Sequence, residues 1–422
     1  MKEREYNKLK WGIWAYFLLL VFEGALRKWV LPGLADPLLI VRDPIALWLI
    51  IRAWQHGLLT SNFYLIGMWI VGILGIATAL VFGHKIIFIA LFGARLFLIH
   101  FPLMFVIGAL FDRSDVEKMG KAMVWISIPM AILVITQFYS PQSAWVNQAS
   151  GGLEGGGFSG AKGYFRGSAT FSFTNGTHLF FGLVASYIFY YWLNPGRINK
   201  ILLILSTISI LVVIPYSISR SLLFHVLIAF LFAFVVAIRK GKYLWKMIVG
   251  LMTVLVLILF IKDTESVQLA FDVFFTRFDN ASTYEGGLGG TVGERYFGQI
   301  TRAIEWIDHA PFFGEGLGLG TNVATIFLGS STFIVAEEEW SRLIGELGPI
   351  LGIMAIMIRL LFSADLTWRA YQCIKMDYLL PWMLLSFGLL IIPQGQWAQP
   401  TALGFSTLVG GLIIASFNLN KT

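Results

Sequence analysis

Thr291-Val-Gly-Glu-Arg-Tyr-Phe-Gly-Gln-Ile-Thr-Arg-Ala-Ile-Glu-Trp-Ile-Asp-His-Ala-Pro311 is the charged centre of a long stretch, Lys262 to Trp340, that holds no apolar run of membrane length. Thr291 and Glu294 have the spacing of a capping box, in which each side chain satisfies a free backbone N–H at a helix start. Pro311 marks the stop. At helical spacing Arg295, Gln299, Arg302, Trp306 and His309 share one stripe, while Tyr296, Phe297, Ile300, Ala303, Ile304 and Ile307 fall opposite. The pattern fits a helix lying at a membrane interface or on helix ends, its basic stripe turned to a polar cavity. Arginine suits phosphate there, because its fork donates two parallel hydrogen bonds and never loses its charge. The pattern equally fits a solvated amphipathic helix whose arginines snorkel to lipid headgroups. A glycine-rich run follows, Phe312-Phe-Gly-Glu-Gly-Leu-Gly-Leu-Gly320, and then the acidic cluster Glu337-Glu338-Glu339.

Outside this stretch the sequence is nearly all compatible with lipid. The 422 residues are 57% hydrophobic and 13% charged, with a mean hydropathy of +0.75. Soluble domains carry about a quarter charged residues, so a soluble enzyme is excluded and an all-α, polytopic transmembrane protein is expected. Windows of roughly 20 mostly apolar residues fall near 11–30, 38–55, 62–82, 86–110, 119–139, 176–193, 200–218, 221–238, 243–262, 341–362, 379–393 and 400–418. That gives about twelve spans, of which 379–393 is short enough to be tilted or half-inserted. The expected organisation is transmembrane helices over 1–262 with a Gly-rich outer loop near 140–175, a long outer loop over 263–340, and transmembrane helices over 341–422.

The net charge of +7 reads as a topology signal, not as a nucleic-acid one. Lysine-rich loops follow alternate spans and share a side if both termini are cytoplasmic. The single cysteine, Cys373, excludes an intramolecular disulfide and any multi-cysteine metal site. It is assigned to a cytoplasmic loop. The six histidines are scattered, so neither a metal nor a cofactor is expected. Motifs for phosphate-binding loops, zinc proteases and serine hydrolases are missing. The glycines of 314–320 lack the strand and helix start of a dinucleotide site and read as a tight turn with close backbone packing.

What remains is a set of arginines on the outer side. Arg220 sits at the tip of a hairpin between apolar helices, where a charge near the bilayer calls for a partner. Arg166 lies in the aromatic loop Lys162-Gly-Tyr-Phe-Arg-Gly-Ser-Ala-Thr-Phe-Ser-Phe-Thr-Asn-Gly176. Arg295 and Arg302 share a helix face. Arg42-Asp43-Pro44 reads as a local ion pair. Adjacent carboxylates at Glu337, Glu338 and Glu339 repel, which favours one of them as a general base. The same cluster also fits a solvated helix start favoured by the dipole.

Four places resemble the O-antigen ligase and O-antigen polymerase superfamily of bacterial membrane glycosyltransferases. They are Phe165-Arg-Gly-Ser-Ala-Thr-Phe-Ser-Phe-Thr-Asn-Gly176; Ser217-Ile-Ser-Arg220-Ser-Leu-Leu; Gly293-Glu-Arg295 through Trp306 to Pro311-Phe-Phe-Gly-Glu-Gly-Leu-Gly318; and Glu337–Trp340 with Arg342-Leu-Ile-Gly-Glu346-Leu-Gly348-Pro-Ile-Leu-Gly352. The resemblance covers roughly residues 120–355. It implies a GT-C-like membrane fold and metal-independent glycosyl transfer on the periplasmic face of the bacterial inner membrane. The donor would be an undecaprenyl-pyrophosphate-linked glycan and the acceptor a glycan hydroxyl or lipid A-core, with membrane lipids and a chain-length regulator protein as further partners. Arg220, Arg295, Arg302 and Arg166 would stabilise the pyrophosphate, and Trp340 would offer a sugar a stacking face. Ligases carry a histidine-asparagine pair where this chain has Glu337–Glu339. The difference favours a polymerase-like enzyme with Glu338 or Glu339 as the base. An anion transporter is the competing class, but the internal repeats usual in transporters are not visible.

Overall fold

The computed structural model describes residues 3–153, 158–285, 298–321, 323–324, 328 and 338–418. Helices dominate, and the strands Phe158–Ser159 (β1) and Phe165–Arg166 (β2) form one small antiparallel hairpin. The helices α1 (Glu3–Ala25), α2 (Arg42–Gln55), α3 (Phe63–Val81), α4 (Ile87–Leu110), α5 (Arg113–Tyr139), α6 (Thr174–Leu193), α7 (Lys200–Tyr216), α8 (Arg220–Arg239) and α9 (Lys242–Ile261) run back and forth between two ends of a bundle. Helices α10 (Glu265–Glu285) and α11 (Gly298–His309) follow, then α12 (Glu339–Lys375), α13 (Leu380–Ile391) and α14 (Pro400–Ser416).

Six helices among the described residues are long and apolar enough to cross a membrane: Glu3–Val30, Phe63–Val81, Ile87–Leu110, Arg113–Tyr139, Arg220–Arg239 and Glu339–Lys375. This is fewer than the hydropathy windows give. Helix α2 has only 14 residues and begins Arg-Asp-Pro, and α6 opens on the polar turn Thr174-Asn-Gly-Thr-His178. Helices α7, α13 and α14 are apolar but shorter. Exposed apolar stripes run along the outside, such as Ile66, Ile70 and Ile73 on α3 and Leu227, Leu231, Phe234 and Ile238 on α8. Stripes of this kind suit lipid, not water.

Hydrogen bonds tie the loops into two ends. At the terminal end, Lys10 pairs with Asp115, Arg197 with Glu117 at 2.8 Å, and Asn418 Nδ2 donates to the Phe111 carbonyl at 3.1 Å. Lys240 and Lys242 meet Asp377 there and hold its carboxyl below the usual range. The basic loops expected to share a side therefore share one end of the bundle. Cys373 lies nearby, buried in the last turn of α12 and not in a loop.

At the opposite end, the wide helical turn Leu26–Val30 that continues α1 organises the aromatic loop. Lys28 Nζ donates to the Ala169 carbonyl at 2.6 Å and Arg27 Nη1 to Ser172 Oγ at 3.0 Å. Gln137 brackets Ala169, accepting from its N–H at 2.7 Å and donating to its carbonyl at 3.2 Å. Arg42 and Asp43 do not form the local pair that adjacency implied. Arg42 reaches Glu23 at 3.1 Å, while Asp43 binds Arg95 at 2.6 Å and His100 at 2.9 Å. Successive helical residues point in different directions, and each finds its partner on another helix.

Helix α12 is broken at Gly348, whose φ of 77° and ψ of 169° lie where a side chain is strained. Pro349 follows and has no N–H for the Gly345 carbonyl. The glycine-rich run replaces it: Glu315 N donates to the Gly345 carbonyl at 2.8 Å and Gly316 N to that of Glu346 at 3.1 Å. Two more N–H groups of the run, from Gly318 and Gly320, bind the Glu346 carboxylate at 3.1 and 2.7 Å. The approach leaves no room for a Cβ: one on Gly318 would meet the Ile89 carbonyl oxygen at 2.2 Å. The run is a backbone clamp on the α12 break, so its glycines serve close packing.

Gly348→Ala forces a Cβ to within 2.2 Å of the Phe312 carbonyl oxygen. We expect it to destabilise the protein by about 1–3 kcal/mol, seen as a lower midpoint in thermal unfolding in detergent. An unchanged midpoint would mean the clamp contributes nothing.

Candidate functional site

Helices α13 and α14 form a hairpin with short arms. Twelve and 17 residues span about 18 and 25 Å, less than the ~30 Å of a bilayer core. The tip reads Ile392-Pro-Gln-Gly-Gln-Trp-Ala-Gln399. Non-helical backbone at that depth must be satisfied by protein, and buried charges do so. Arg359, fully buried, donates through Nε to the Ile392 carbonyl at 2.8 Å and through Nη2 to that of Gly395 at 2.9 Å. Trp340 Nε1 donates to the Pro393 carbonyl at 2.9 Å and Arg42 Nη2 to that of Pro400 at 2.8 Å. The Glu339 carboxylate accepts from Trp397 N at 3.1 Å.

Glu339 is held on every side. It accepts from Arg342 Nε and Nη2 at 3.0 and 2.9 Å and from Arg359 Nη1 at 2.7 Å. Arg342 continues to Glu346 at 2.7 Å, so two acids and two bases neutralise each other beside the turn. The Arg359 guanidinium also lies 3.8 Å from the Trp397 ring centroid, a desolvated cation–π contact. A carboxylate with four donors and 1% exposure has no lone pair left facing a substrate. Its neighbour Glu338 differs: it is half-buried at the start of α12 and pairs with Arg302 of α11.

Helix α11 turns the first part of its polar stripe inward: Gln299 is buried and Arg302 and Trp306 half-buried, whereas His309 at its end is exposed. On the apolar side Ala303 is buried and Ile300 and Ile304 are exposed. Across the turn, Gln399 accepts a hydrogen bond from Asn175 at the start of α6 and itself donates to Gln396. One turn further along α6, His178 lies 5.6 Å from the ring of His225 on α8, whose Nδ1 is 2.6 Å from the Ser221 carbonyl.

A second basic group forms around α10. Arg220 starts α8, buried, with its guanidinium 6.0 Å from the Phe278 ring. The β1–β2 hairpin carrying Arg166 packs on the same corner: a Cβ on Gly160 would meet Ile218 Cδ1 at 2.4 Å. Arg277 of α10 donates to the carbonyls of Ser159 and Gly160 at 3.0 and 3.1 Å, and Lys162 pairs with Asp272.

Of the residues selected from sequence, Glu339 and Trp340 bind the turn and Arg302 pairs with the adjacent Glu338, while Arg220 and the hairpin that carries Arg166 lie at the α10 corner. Arg295, Glu337 and the Thr291–Glu294 cap lie outside the described residues. Trp340 spends its indole N–H on the turn backbone. Sequence reading missed the half-buried Gln394, Gln396 and Gln399, although three glutamines between two prolines inside an apolar hairpin were a readable signal. It also missed Arg359, hidden inside a span, and Arg277. Among the described residues no group of three His, Cys, Asp or Glu side chains is arranged to hold a metal. The chain matches no protein-family model, and no curated protein matches it at a significant level.

Glu339→Gln leaves Arg359 buried with reduced compensation, and breaking such a pair costs about 3–5 kcal/mol. Glu338→Gln should cost less, because Glu338 is 12% exposed and its partner Arg302 39%, so the cation left behind stays within reach of water. Unfolding of the two variants side by side tests this; equal losses would refute the division of roles.

Proposed function

We propose that the protein is a membrane glycosyltransferase, polymerase-like, that moves a glycan from a lipid-pyrophosphate carrier to an acceptor hydroxyl. The observation that carries the reading is the buried-ion-supported turn, which presents three amides between Glu338–Arg302 on one side and Asn175 and His178 on the other. Side-chain amides donate and accept at once, which suits the hydroxyls of a sugar. Described residues of the resembling motifs support the reading: Asn175, Glu339 and Trp340 contact this turn, Gly348 lies at the α12 break and Arg220 at the α10 corner.

In this reading the chain passes back and forth twelve times in a GT-C-like arrangement, the last two passes being the incomplete α13–α14 hairpin. The terminal end, with its lysine-rich loops, faces the cytoplasm, and the turn opens to the periplasm. Attack forms the bond from acceptor oxygen to anomeric carbon while the bond from that carbon to the pyrophosphate oxygen breaks. Glu338 takes the hydroxyl proton, since Glu339 is occupied. Arg220, with Arg166 and Arg277 at the same corner, and Arg295 stabilise the negative charge that leaves with the pyrophosphate. Arg302 orients the Glu338 carboxylate through their ion pair.

Two variants test the roles in reconstituted transfer from a lipid-pyrophosphate-linked glycan. Glu338→Gln should lower the rate by roughly 10²–10⁴ with donor binding retained. Arg220→Lys should abolish transfer in a folded protein, because lysine keeps the charge and loses the fork. Near-normal rates in both would sink the proposal.

A further inference from the structure

At the terminal end, well away from the turn, α5 and α7 part to leave a cleft of about 640 Å³. The two helices are pinned to each other by Ser127 Oγ and Ser206 Oγ at 2.7 Å. Above that pin the walls are Trp125 on α5 and Ile201 and Leu205 on α7, which are 63%, 69% and 45% exposed. Two cations stand at the mouth. Lys121 lies one turn before Trp125 on α5. Arg197 sits in the α6–α7 connection, where Glu117 holds it at 2.8 Å and leaves 56% of its side chain exposed.

This combination of cations over an open apolar wall is unlike a protein interior, where the apolar surface would be covered, and unlike a solvated loop, which would not expose tryptophan beside isoleucine. Tryptophan at this level matches the headgroup region of a bilayer, and cations at the same level attract anionic lipid. We propose that the cleft binds an anionic phospholipid, its phosphate between Lys121 and Arg197 and its acyl chains along Trp125, Ile201 and Leu205. The assignment rests on the membrane reading of the fold and is independent of the chemistry at the other end. Glu117 is the carboxylate nearest the site, and it orients Arg197 without filling the cleft. The consequence is an anchor that fixes the spacing of α5 and α7 in a membrane rich in acidic lipid.

The test uses the full chain in mild detergent, with native mass spectrometry reading bound lipid during titration with dioleoyl phosphatidylglycerol or dioleoyl phosphatidylcholine. Wild type should retain phosphatidylglycerol in preference to phosphatidylcholine. With about fivefold per cation, the Lys121→Gln/Arg197→Gln variant should lose on the order of 25-fold in phosphatidylglycerol affinity and nothing for phosphatidylcholine. The charge-conserving Lys121→Arg/Arg197→Lys pair should bind as wild type, as should Lys85→Gln at the opposite end. Equal retention of the two lipids by wild type, or equal loss in Lys85→Gln, would overturn the proposal. So would displacement of the lipid by millimolar inorganic phosphate, which would make the site one for the free ion.

Discussion

A backbone turn below the surface of a membrane must find hydrogen bonds inside the protein, and this single requirement accounts for much of the buried charge here. The α13–α14 hairpin stops short, and its tip exposes carbonyls and an N–H where water is scarce. Glu339, Trp340 and Arg359 reach it from α12 and Arg42 from α2. Each of those charges then needs compensation, which Arg342, Glu346 and Glu23 supply. The network is long because a buried ion is tolerated only when its own partners are complete.

The same logic links the network to the glycine-rich run. Pro349 breaks α12, and the carbonyls it strands are taken by backbone N–H groups of the run. The carboxylate of Glu346, one turn above the break, takes two more. Thus the outer loop, the break in α12 and the hairpin tip are joined through Glu346, Arg342, Glu339 and Arg359. Polar groups sit on the edge of that structure: Glu338 and Arg302 on one flank, the tip glutamines and Asn175 on the other. A fixed ionic frame with polar groups at its rim is the kind of preorganisation that the proposed transfer would use.

The helical class was legible because long apolar runs are hard to mistake, and the grouping of basic loops at one end followed from lysine placement. Less legible was everything that depends on which helix faces which. Glu338 and Glu339 are adjacent and chemically identical, yet one is locked by four donors and the other faces Arg302. Nothing local distinguishes them; the helical turn does, by rotating one inward. Arg42 and Asp43 were separated by the same effect. Arg359 was invisible because a lone arginine in a span resembles a lipid-snorkelling residue until its partners are known. The short span near 379–393, by contrast, announced the incomplete hairpin through its length alone.

The account stands on the tip of the hairpin being the floor of a cavity open to the side of the outer loop. A single cysteine at Gln396, in a Cys373→Ser background, reads this directly in intact cells and inverted vesicles. We expect a membrane-impermeant maleimide to modify it only from the cell exterior. Modification only from the side of Asp377, or none from either side, would contradict the placement of the turn and the site built on it.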